Sequence, residues 1–196
     1  MVFFSAILVA LAAFLLGSIP FGLIIGKTFC GIDPRLDGSR NVGATNVARL
    51  CGVKWGVLTL ACDVLKGVIP VLLLAGSGLA HTAGLAVICG HMFSVFLNYK
   101  GGKGVATTIG VFLALAPVTL AMAGLACVLT IWRTGFVSAG SLVLMGALPI
   151  LFLVQGDFGN LWFSLLVAAL IIYAHRENID RLRRGEEKPW RAKKES

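Results

Sequence analysis

The chain has 196 residues, of which 58% are hydrophobic and 13% are charged, and its formal net charge is +8. A soluble domain of this length carries roughly 25% charged residues. The composition therefore excludes an ordinary soluble fold and indicates an all-α, polytopic integral membrane protein with a single transmembrane domain.

The amino-terminal stretch 1–26 contains no Lys or Arg. A cleavable signal peptide begins with a basic region, so we interpret this stretch as a first spanning helix. The five cysteines show neither metal-ligand spacing nor a CxxC pair, and we expect them to be small apolar fillers. They are Cys30, Cys51, Cys62, Cys89 and Cys127.

Seven apolar stretches are predicted to cross the membrane, because a spanning helix needs about 20 apolar residues. The predicted spans are 3–25, 54–76, 79–97, 104–116, 118–132, 136–154 and 160–175. Pro117 is predicted to separate the fourth span from the fifth. A single helix over 104–132 is the competing interpretation, and it would give six spans.

Charge placement favours seven spans. With the N-terminus outside, the stretches 26–53, 98–103, 133–135 and 176–196 share one side, and together with Lys54 they hold every Lys and Arg except Lys66. Positive charge accumulates on cytoplasmic loops, so we expect the C-terminus and the polar chemistry in the cytoplasm. The basic tail 176–196 is expected to be a solvated segment along anionic lipid headgroups.

The first long loop contains the polar segment DGSRNVGATNVAR, residues 37–49. Arg49 supplies a planar guanidinium suited to phosphate or carboxylate, and Ser39 and Asn41 are among its neutral polar neighbours. The alternative is a turn followed by a capped helix, which accounts for only one or two of these residues. The whole set favours an anion-binding loop.

A second polar segment, GHMFSVFLNYKGGKGVATT, covers residues 90–108. Gly101, Gly102 and Gly104 allow backbone N–H groups to form an anion-binding nest. Lys103 precedes a helix whose N-terminus adds a partial positive charge. The segment is not a Walker A loop, because Gly104 stands where Ser or Thr would hold magnesium. A glycine-rich turn with snorkelling lysines is the alternative.

The third segment, HRENIDRLRRG, follows the seventh predicted span at residues 175–185. His175 and Asn178 are three residues apart and therefore share one helical face. His175 and Asp180 also match the H-x4-D spacing by which many acyltransferases activate a hydroxyl, a short match that we treat as a minor alternative.

Several polar residues fall inside predicted spans. Asp63 and Lys66 are interpreted as an ion pair that fixes helix packing, although charges inside a membrane are also functional candidates. For His91 an interhelical hydrogen bond is favoured over a role as general base. Ser138 and Ser141 are typical of helix–helix contacts, but they lie near enough to the cytoplasmic end to reach a ligand.

Together these segments resemble a known family. GSRNVGATNVAR, GHMFSVFLNYKGGKGVAT and HRENIDRL are similar to the three motifs of the bacterial acyl-phosphate:glycerol-3-phosphate acyltransferases, and GSIPFG and DVLKG also look familial. The resemblance covers essentially the whole chain. Arg40 departs from it, since the family pattern commonly has a small residue such as glycine after Ser39.

The resemblance implies a seven-span enzyme of the bacterial inner membrane. It would move a fatty acyl group from acyl phosphate to the 1-hydroxyl of sn-glycerol 3-phosphate, giving lysophosphatidic acid and inorganic phosphate. It implies no cofactor, no metal and no nucleic acid. The implied partners are the two substrates, the lipid bilayer and an acyl-phosphate-forming enzyme that hands over the donor.

The family motifs also imply roles for particular residues. The implied catalytic residues are His175, Lys103 and Ser141. The implied substrate-binding residues are Ser39, Asn41, Arg49, Lys103, Gly101, Gly102, Gly104 and Asn178.

The chemistry of the residues is consistent with this activity. No Ser–His–Asp order or activated Cys stands out, so direct transfer is favoured over an acyl-enzyme. The proton acceptor is either His175 or a phosphate of the substrate itself.

The main alternative from another class is a transporter of a small organophosphate or anion. A transporter places its polar site near the membrane midplane, whereas here the polar segments gather on one face. A non-catalytic scaffold would leave the two phosphate-type loops unexplained.

Overall fold

The structure, a computed structural model, describes residues 2–190. Within them it contains ten α-helices and one 3₁₀ turn and no strand, as the sequence predicts. The last part of the predicted tail, 191–196, lies outside the described residues.

The chain forms two compact units, and the first ends at Leu115. Its elements are α1 (Val2–Ser18), α2 (Phe21–Cys30), α3 (Ala44–Cys51), α4 (Val53–Leu73), α5 (Ala80–Met92), a 3₁₀ turn (Val95–Leu97) and α6 (Val105–Leu115). The break between α1 and α2 falls at Ile19 and Pro20, where proline removes a backbone donor and interrupts the helical ladder.

The second unit begins at Ala116. It contains α7 (Pro117–Thr134), α8 (Val137–Gln155), α9 (Phe158–Ala174) and α10 (Arg176–Arg184). Ala116 has non-helical backbone angles (φ −152°, ψ 70°), and Pro117 occupies the first turn of α7. Proline is well suited to that position, so the predicted break is confirmed and the single helix over 104–132 is wrong.

Among residues 2–190, five helical segments are long and apolar enough to cross a membrane: Phe3–Cys30, Val53–Leu73, Ala80–Leu97, Pro117–Thr134 and Val137–Gln155. The count reaches six if α9 and α10, which meet at 61°, are taken as one bent span. The predicted fourth span forms only the 11-residue α6, which is shorter than the roughly 17–25 residues of a full crossing. A multi-pass helical architecture is therefore established, with five to six spans by length and composition.

Apolar side chains are exposed along these helices: Leu73 and Val154, for example, are each 80% exposed. In a soluble protein such surfaces would be covered, whereas lipid tails solvate them without cost.

Small residues let the helices of the first unit pack backbone against backbone. A Cβ added to Gly90 of α5 would overlap the Phe14 carbonyl of α1, and one added to Gly110 of α6 would overlap the Val64 carbonyl of α4. Close approach through glycine is the usual way in which membrane helices associate. These contacts fix α4 and α5, which carry the buried polar residues described below.

The cysteines correct one expectation. Cys30 at the end of α2 and Cys51 at the end of α3 form a disulfide, with their Cα atoms 5.9 Å apart. They are not the apolar fillers that their spacing suggests, because the pairing depends on a loop that brings two helix ends together. Cys62, Cys89 and Cys127 are unpaired and half-buried, consistent with the predicted filling role.

Candidate active site

A buried polar cluster lies among the helices of the first unit. Lys66 Nζ is 2.8 Å from Asp63 Oδ1 and donates a hydrogen bond to the Ile19 carbonyl at 3.1 Å. His91 Nδ1 is 3.5 Å from the same carboxylate oxygen. The predicted ion pair is thereby confirmed, and the His91 ring of α5 faces the carboxylate of α4. The cluster joins α4 and α5 to the break between α1 and α2.

A small cavity borders this cluster. It measures about 10 Å³ and is lined in part by Ser18, Asp63, Lys66, His91 and Ser94. This is close to the lower limit for one water molecule, and several polar groups are available to hold one. The cavity is far too small to hold a substrate.

The glycine-rich loop is anchored to the end of α5 by its backbone. The N–H groups of Gly101 and Gly102 donate to the carbonyls of Met92 and His91, each at 3.0 Å. A Cβ on Gly102 would overlap Nε2 of His91. These two N–H groups hold the loop in place, which differs from the anion nest that the sequence predicts.

Lys103 lies at the end of this loop, directly before the glycine that precedes α6. It is half-buried, whereas Lys100 in the same loop is exposed. Gly104 has φ 86°, a left-handed conformation that suits glycine. Lys103 therefore lies beside the N-terminus of α6, where the helix adds partial positive charge.

Asn46 organises the first polar loop. Its side chain is almost fully buried, and Nδ2 lies 2.9–3.1 Å from the carbonyls of Pro34, Asp37 and Asn41. Its Oδ1 accepts a hydrogen bond from the Ser39 N–H at 2.8 Å. Asn46 thus closes the loop internally. The sequence indicates Asn46 only as one of several neutral donors, alongside Ser39, Asn41 and Thr45, and does not reveal this organising role.

The other candidate residues of the first polar loop lie around Asn46. Ser39 is exposed, and Asn41 Oδ1 accepts a hydrogen bond from the Gly43 N–H at 2.8 Å, so Asn41 shapes a turn. The backbone of Arg40 is left-handed, with φ 53°. Glycine adopts this conformation more easily than other residues, which explains why the family pattern commonly has glycine after Ser39. Arg49 lies in the last turn of α3 and is half-buried.

An exposed ion pair stabilises the start of the same loop. Arg35 donates two hydrogen bonds to Asp33, at 2.9 and 2.6 Å. The hydrogen bond from the Arg35 side chain is the largest cause that holds the pKa of Asp33 well below its ordinary value. Asp33 is therefore an anion within the loop, and its charge is compensated locally.

In the second unit, His175 lies at the bend between α9 and α10 and is 3% exposed. Its Nδ1 is 2.8 Å from the Ile171 carbonyl. Because a carbonyl only accepts, Nδ1 carries the proton, and in the neutral ring Nε2 carries the lone pair. A backbone carbonyl therefore orients the ring, while Asp180, the partner in the H-x4-D alternative, is exposed.

Asn178 is buried in the first turn of α10 and bound to a residue of the tail. Its Nδ2 donates to Glu187 Oε1 at 2.6 Å. Ser138 donates to the same oxygen at 2.7 Å, and Arg181 Nε donates to Oε2 at 2.8 Å. Burial raises the pKa of Glu187, but these hydrogen bonds outweigh it and leave the pKa below its ordinary value.

Ser141 lies one turn after Ser138 on α8 and is buried. Its hydroxyl donates to the Val137 carbonyl at 2.9 Å, a hydrogen bond within its own helix. The hydroxyl proton is therefore used locally, and Ser141 offers oxygen lone pairs to any ligand.

The candidate residues fall in both units of the chain. In the first unit, Gly101, Gly102 and Lys103 lie at the end of α5, and Ser39 and Asn41 surround Asn46. In the second unit, Asn178 is joined to Ser138 through Glu187. Among residues 2–190, no group of three or more His, Cys, Asp or Glu side chains is arranged to hold a metal ion.

Sequence comparison relates this chain to membrane acyltransferases. A model of the family described as glycerol-3-phosphate acyltransferase matches residues 7–185. The glycerol-3-phosphate acyltransferase of Nitratidesulfovibrio vulgaris is 57% identical over 185 residues, which are 92% of this chain and 57% of that protein. Those of Desulfovibrio desulfuricans and Lawsonia intracellularis are 56% and 50% identical, and the matches cover 82% and 93% of their lengths.

Solved structures show the same relationship. The integral membrane glycerol 3-phosphate acyltransferase PlsY (YgiH), in its glycerol 3-phosphate form, has a TM-score of 0.90 and 42% identity, covering 94% of this chain and 95% of that one. Its lysophosphatidic acid form has a TM-score of 0.87 and 41% identity over the same shares. The chain belongs to the glycerol-3-phosphate acyltransferase family.

Proposed function

We propose that this protein transfers a fatty acyl group from acyl phosphate to the 1-hydroxyl of sn-glycerol 3-phosphate, giving lysophosphatidic acid and inorganic phosphate. The observation that carries the proposal is the match, over 94% of the chain, to one acyltransferase solved in a glycerol 3-phosphate form and a lysophosphatidic acid form. These two molecules are the acceptor and the product of the proposed reaction. The donor is supported by the KGGKGVAT segment, which resembles the acyl-phosphate-dependent enzymes.

The chemistry requires orientation more than a protein nucleophile. Acyl phosphate is a mixed anhydride and is already activated. The 1-hydroxyl oxygen attacks the acyl carbon, the carbon–oxygen bond to phosphate breaks, and phosphate leaves with the electron pair. Holding the two substrates together and stabilising the developing negative charge can supply most of the rate acceleration.

Arg49 and Lys103 are the proposed phosphate-binding cations. Arg49 offers two parallel donors for bidentate binding, and Lys103 offers a point charge beside the N-terminus of α6. Ser39 and Asn178 are proposed to bind substrate, while Asn41 and the glycines shape the loops.

His175 is proposed to position the acceptor substrate, and the proton of the 1-hydroxyl passes to a phosphate oxygen of the substrate. The Nδ1 bond to the Ile171 carbonyl fixes the orientation of the ring. In the neutral ring Nε2 is an acceptor, so it can hold the second hydroxyl of glycerol 3-phosphate while the 1-hydroxyl proton points to phosphate. The alternative, in which His175 takes the proton itself, makes a different kinetic prediction.

The fold is proposed to cross the membrane seven times, with α6 and α9 as the additional crossings. The N-terminus then lies outside the cytoplasm and the C-terminus lies inside it. The polar loops are therefore on the cytoplasmic side of a bacterial inner membrane. The distribution of Lys and Arg supports this orientation. An acyl-phosphate-forming enzyme that hands over its labile product is the proposed functional partner.

Transport of a small organophosphate is a weaker candidate, because the family match and both solved relatives concern acyl transfer.

Purified protein in detergent is expected to form lysophosphatidic acid from synthetic acyl phosphate and labelled glycerol 3-phosphate. Turnover should need no coenzyme A, carrier protein, nucleotide or added metal, and EDTA should not reduce it. Product formation is measured by thin-layer chromatography of the labelled lipid. Strict dependence on acyl-CoA or on magnesium would contradict the proposed donor and mechanism.

Lys103→Ala and Arg49→Ala are each expected to lower kcat/KM by about 10- to 100-fold or more, because a truncated charge contact to a substrate phosphate costs on the order of 2–5 kcal/mol. Arg49→Lys should recover only part of the loss, since a point charge cannot replace a bidentate guanidinium.

Lys100→Ala is the matched control for this pair, because Lys100 is in the same loop and is exposed. Its kinetics should be near normal. If the Lys103 and Arg49 alanine variants were folded and equally normal, the two loops would have only a structural role.

His175→Gln and His175→Asn are expected to retain appreciable kcat, and Asp180→Asn should be nearly silent. If His175 were instead the general base, His175→Ala would lose about 10²–10⁴ in turnover and neither amide would restore it. Initial rates at saturating substrates separate the two schemes. An inactive but folded Asp180→Asn enzyme would overturn substrate-assisted proton transfer.

Orientation is tested by labelling single introduced cysteines in a variant that lacks all five native cysteines. Lys100→Cys should react with a membrane-impermeant maleimide only after cell lysis, whereas Ser77→Cys, between α4 and α5, should react in intact spheroplasts. Labelling of Lys100→Cys from outside would reject the orientation. Disulfides are uncommon in the cytosol. A second variant that keeps Cys30 and Cys51 but lacks Cys62, Cys89 and Cys127 shows, by thiol reactivity before and after reduction, whether the pair forms in cells.

A further inference from the structure

Glu187 is a buried carboxylate in a segment that the sequence predicts to be solvated. Its side chain is 7% exposed, whereas that of the adjacent Glu186 is 59% exposed. Because a buried charge is costly unless it is paired and hydrogen-bonded, the contacts of Glu187 are the first sign that this part of the tail has a defined role. The prediction of a solvated tail along the lipid surface is therefore wrong at Glu187.

Glu187 joins two helices of the second unit. One carboxylate oxygen accepts from Ser138 of α8 and from Asn178 of α10, at 2.7 and 2.6 Å. The other accepts from Arg181 of α10 at 2.8 Å. All three donors are therefore directed at a single charged group, and hydrogen bonds to ionised groups are stronger than those between neutral groups.

Backbone hydrogen bonds hold the tail in this position on either side of Glu187. The Glu186 N–H donates to the Arg181 carbonyl at 2.8 Å, and the Trp190 N–H donates to the Gly135 carbonyl at 3.0 Å. The tail thus runs from the end of α10 to the connection between α7 and α8.

The orientation of α10 is not set by helix continuity. The helix has nine residues and leaves α9 at an angle of 61° at His175. A short helix has little stability of its own, so its position depends on contacts with other elements, and Glu187 supplies a direct one to α8.

We infer that Glu187 is a positioning residue for Asn178. By accepting from the Asn178 amide and from Ser138 together, it fixes both the amide and α10 relative to α8, so that Asn178 is held where substrate binds. The inference rests on the proposed function, which assigns Asn178 to the substrate site.

Glu187→Gln in the full chain tests this role, because glutamine keeps the size of the side chain but turns an NH₂ group toward at least one donor. We expect kcat/KM for glycerol 3-phosphate to fall by about 10- to 100-fold, the change associated with loss of a hydrogen bond to a charged group. Glu186→Gln is the matched control. Glu186 is exposed and pairs with Arg184, so this variant should behave as the unsubstituted protein.

A double-mutant cycle separates positioning from general destabilisation. In an Asn178→Ala background, Glu187→Gln should have little further effect on kcat/KM, because the two residues act as one unit. Hydrogen exchange should show faster exchange of the Trp190 N–H in Glu187→Gln than in Glu186→Gln. Ser138→Ala, which keeps the carboxylate and its bond to Asn178, should give a smaller loss.

Several results would overturn the inference. Unchanged kcat/KM in Glu187→Gln would show that the carboxylate does not position Asn178, and increased kcat/KM would show that the tail obstructs the site instead. Full additivity with Asn178→Ala would show that Glu187 acts elsewhere. Absence of transfer by both the unsubstituted protein and Glu186→Gln would overturn the proposed function, and the inference with it.

Discussion

The first unit is built around a buried ion pair. Asp63 and Lys66 are each about 2% exposed, and their charged atoms are 2.8 Å apart. Removing either partner would leave an uncompensated charge among apolar helices, which is strongly destabilising. The remaining hydrogen-bonding capacity is directed to the Ile19 carbonyl and to His91. The pair therefore determines how α4 meets α5 and the break after α1.

From this pair a chain of contacts reaches the glycine-rich loop. His91 faces Asp63 through its ring, while its backbone carbonyl accepts from Gly102. The loop packs so closely on the imidazole that only glycine fits at position 102. The position of Lys103, one residue later, thus follows from a charge pair inside the helices.

Much of this fold can be predicted from local sequence. Apolar runs predict the helices, Pro117 predicts the break before α7, and the i, i+3 spacing predicts the Asp63–Lys66 pair. The side-chain contacts between distant parts of the chain cannot be predicted from local sequence, because local patterns do not show which distant residues meet. Glu187 is 49 residues from Ser138, and nothing in a charged tail distinguishes it from Glu186. The Cys30–Cys51 pair depends likewise on the path of the loop between them.

Asn46 illustrates a different limit. An asparagine in the first polar loop is consistent with a helix cap, a ligand contact or a role in organising the loop. The sequence around Asn46 does not distinguish these three roles. Burial decides the case, because a fully buried amide must satisfy its donors and acceptor internally. Asn46 does so with the backbone of its own loop, and Glu187 does so with donors from two helices. Asn46 and Glu187 are thus deeply buried polar residues that organise the structure around them. The cations Arg49 and Lys103 are half-buried and lie at helix ends. This division is consistent with the proposed function, in which Arg49 and Lys103, and not the deeply buried groups, contact substrate phosphate.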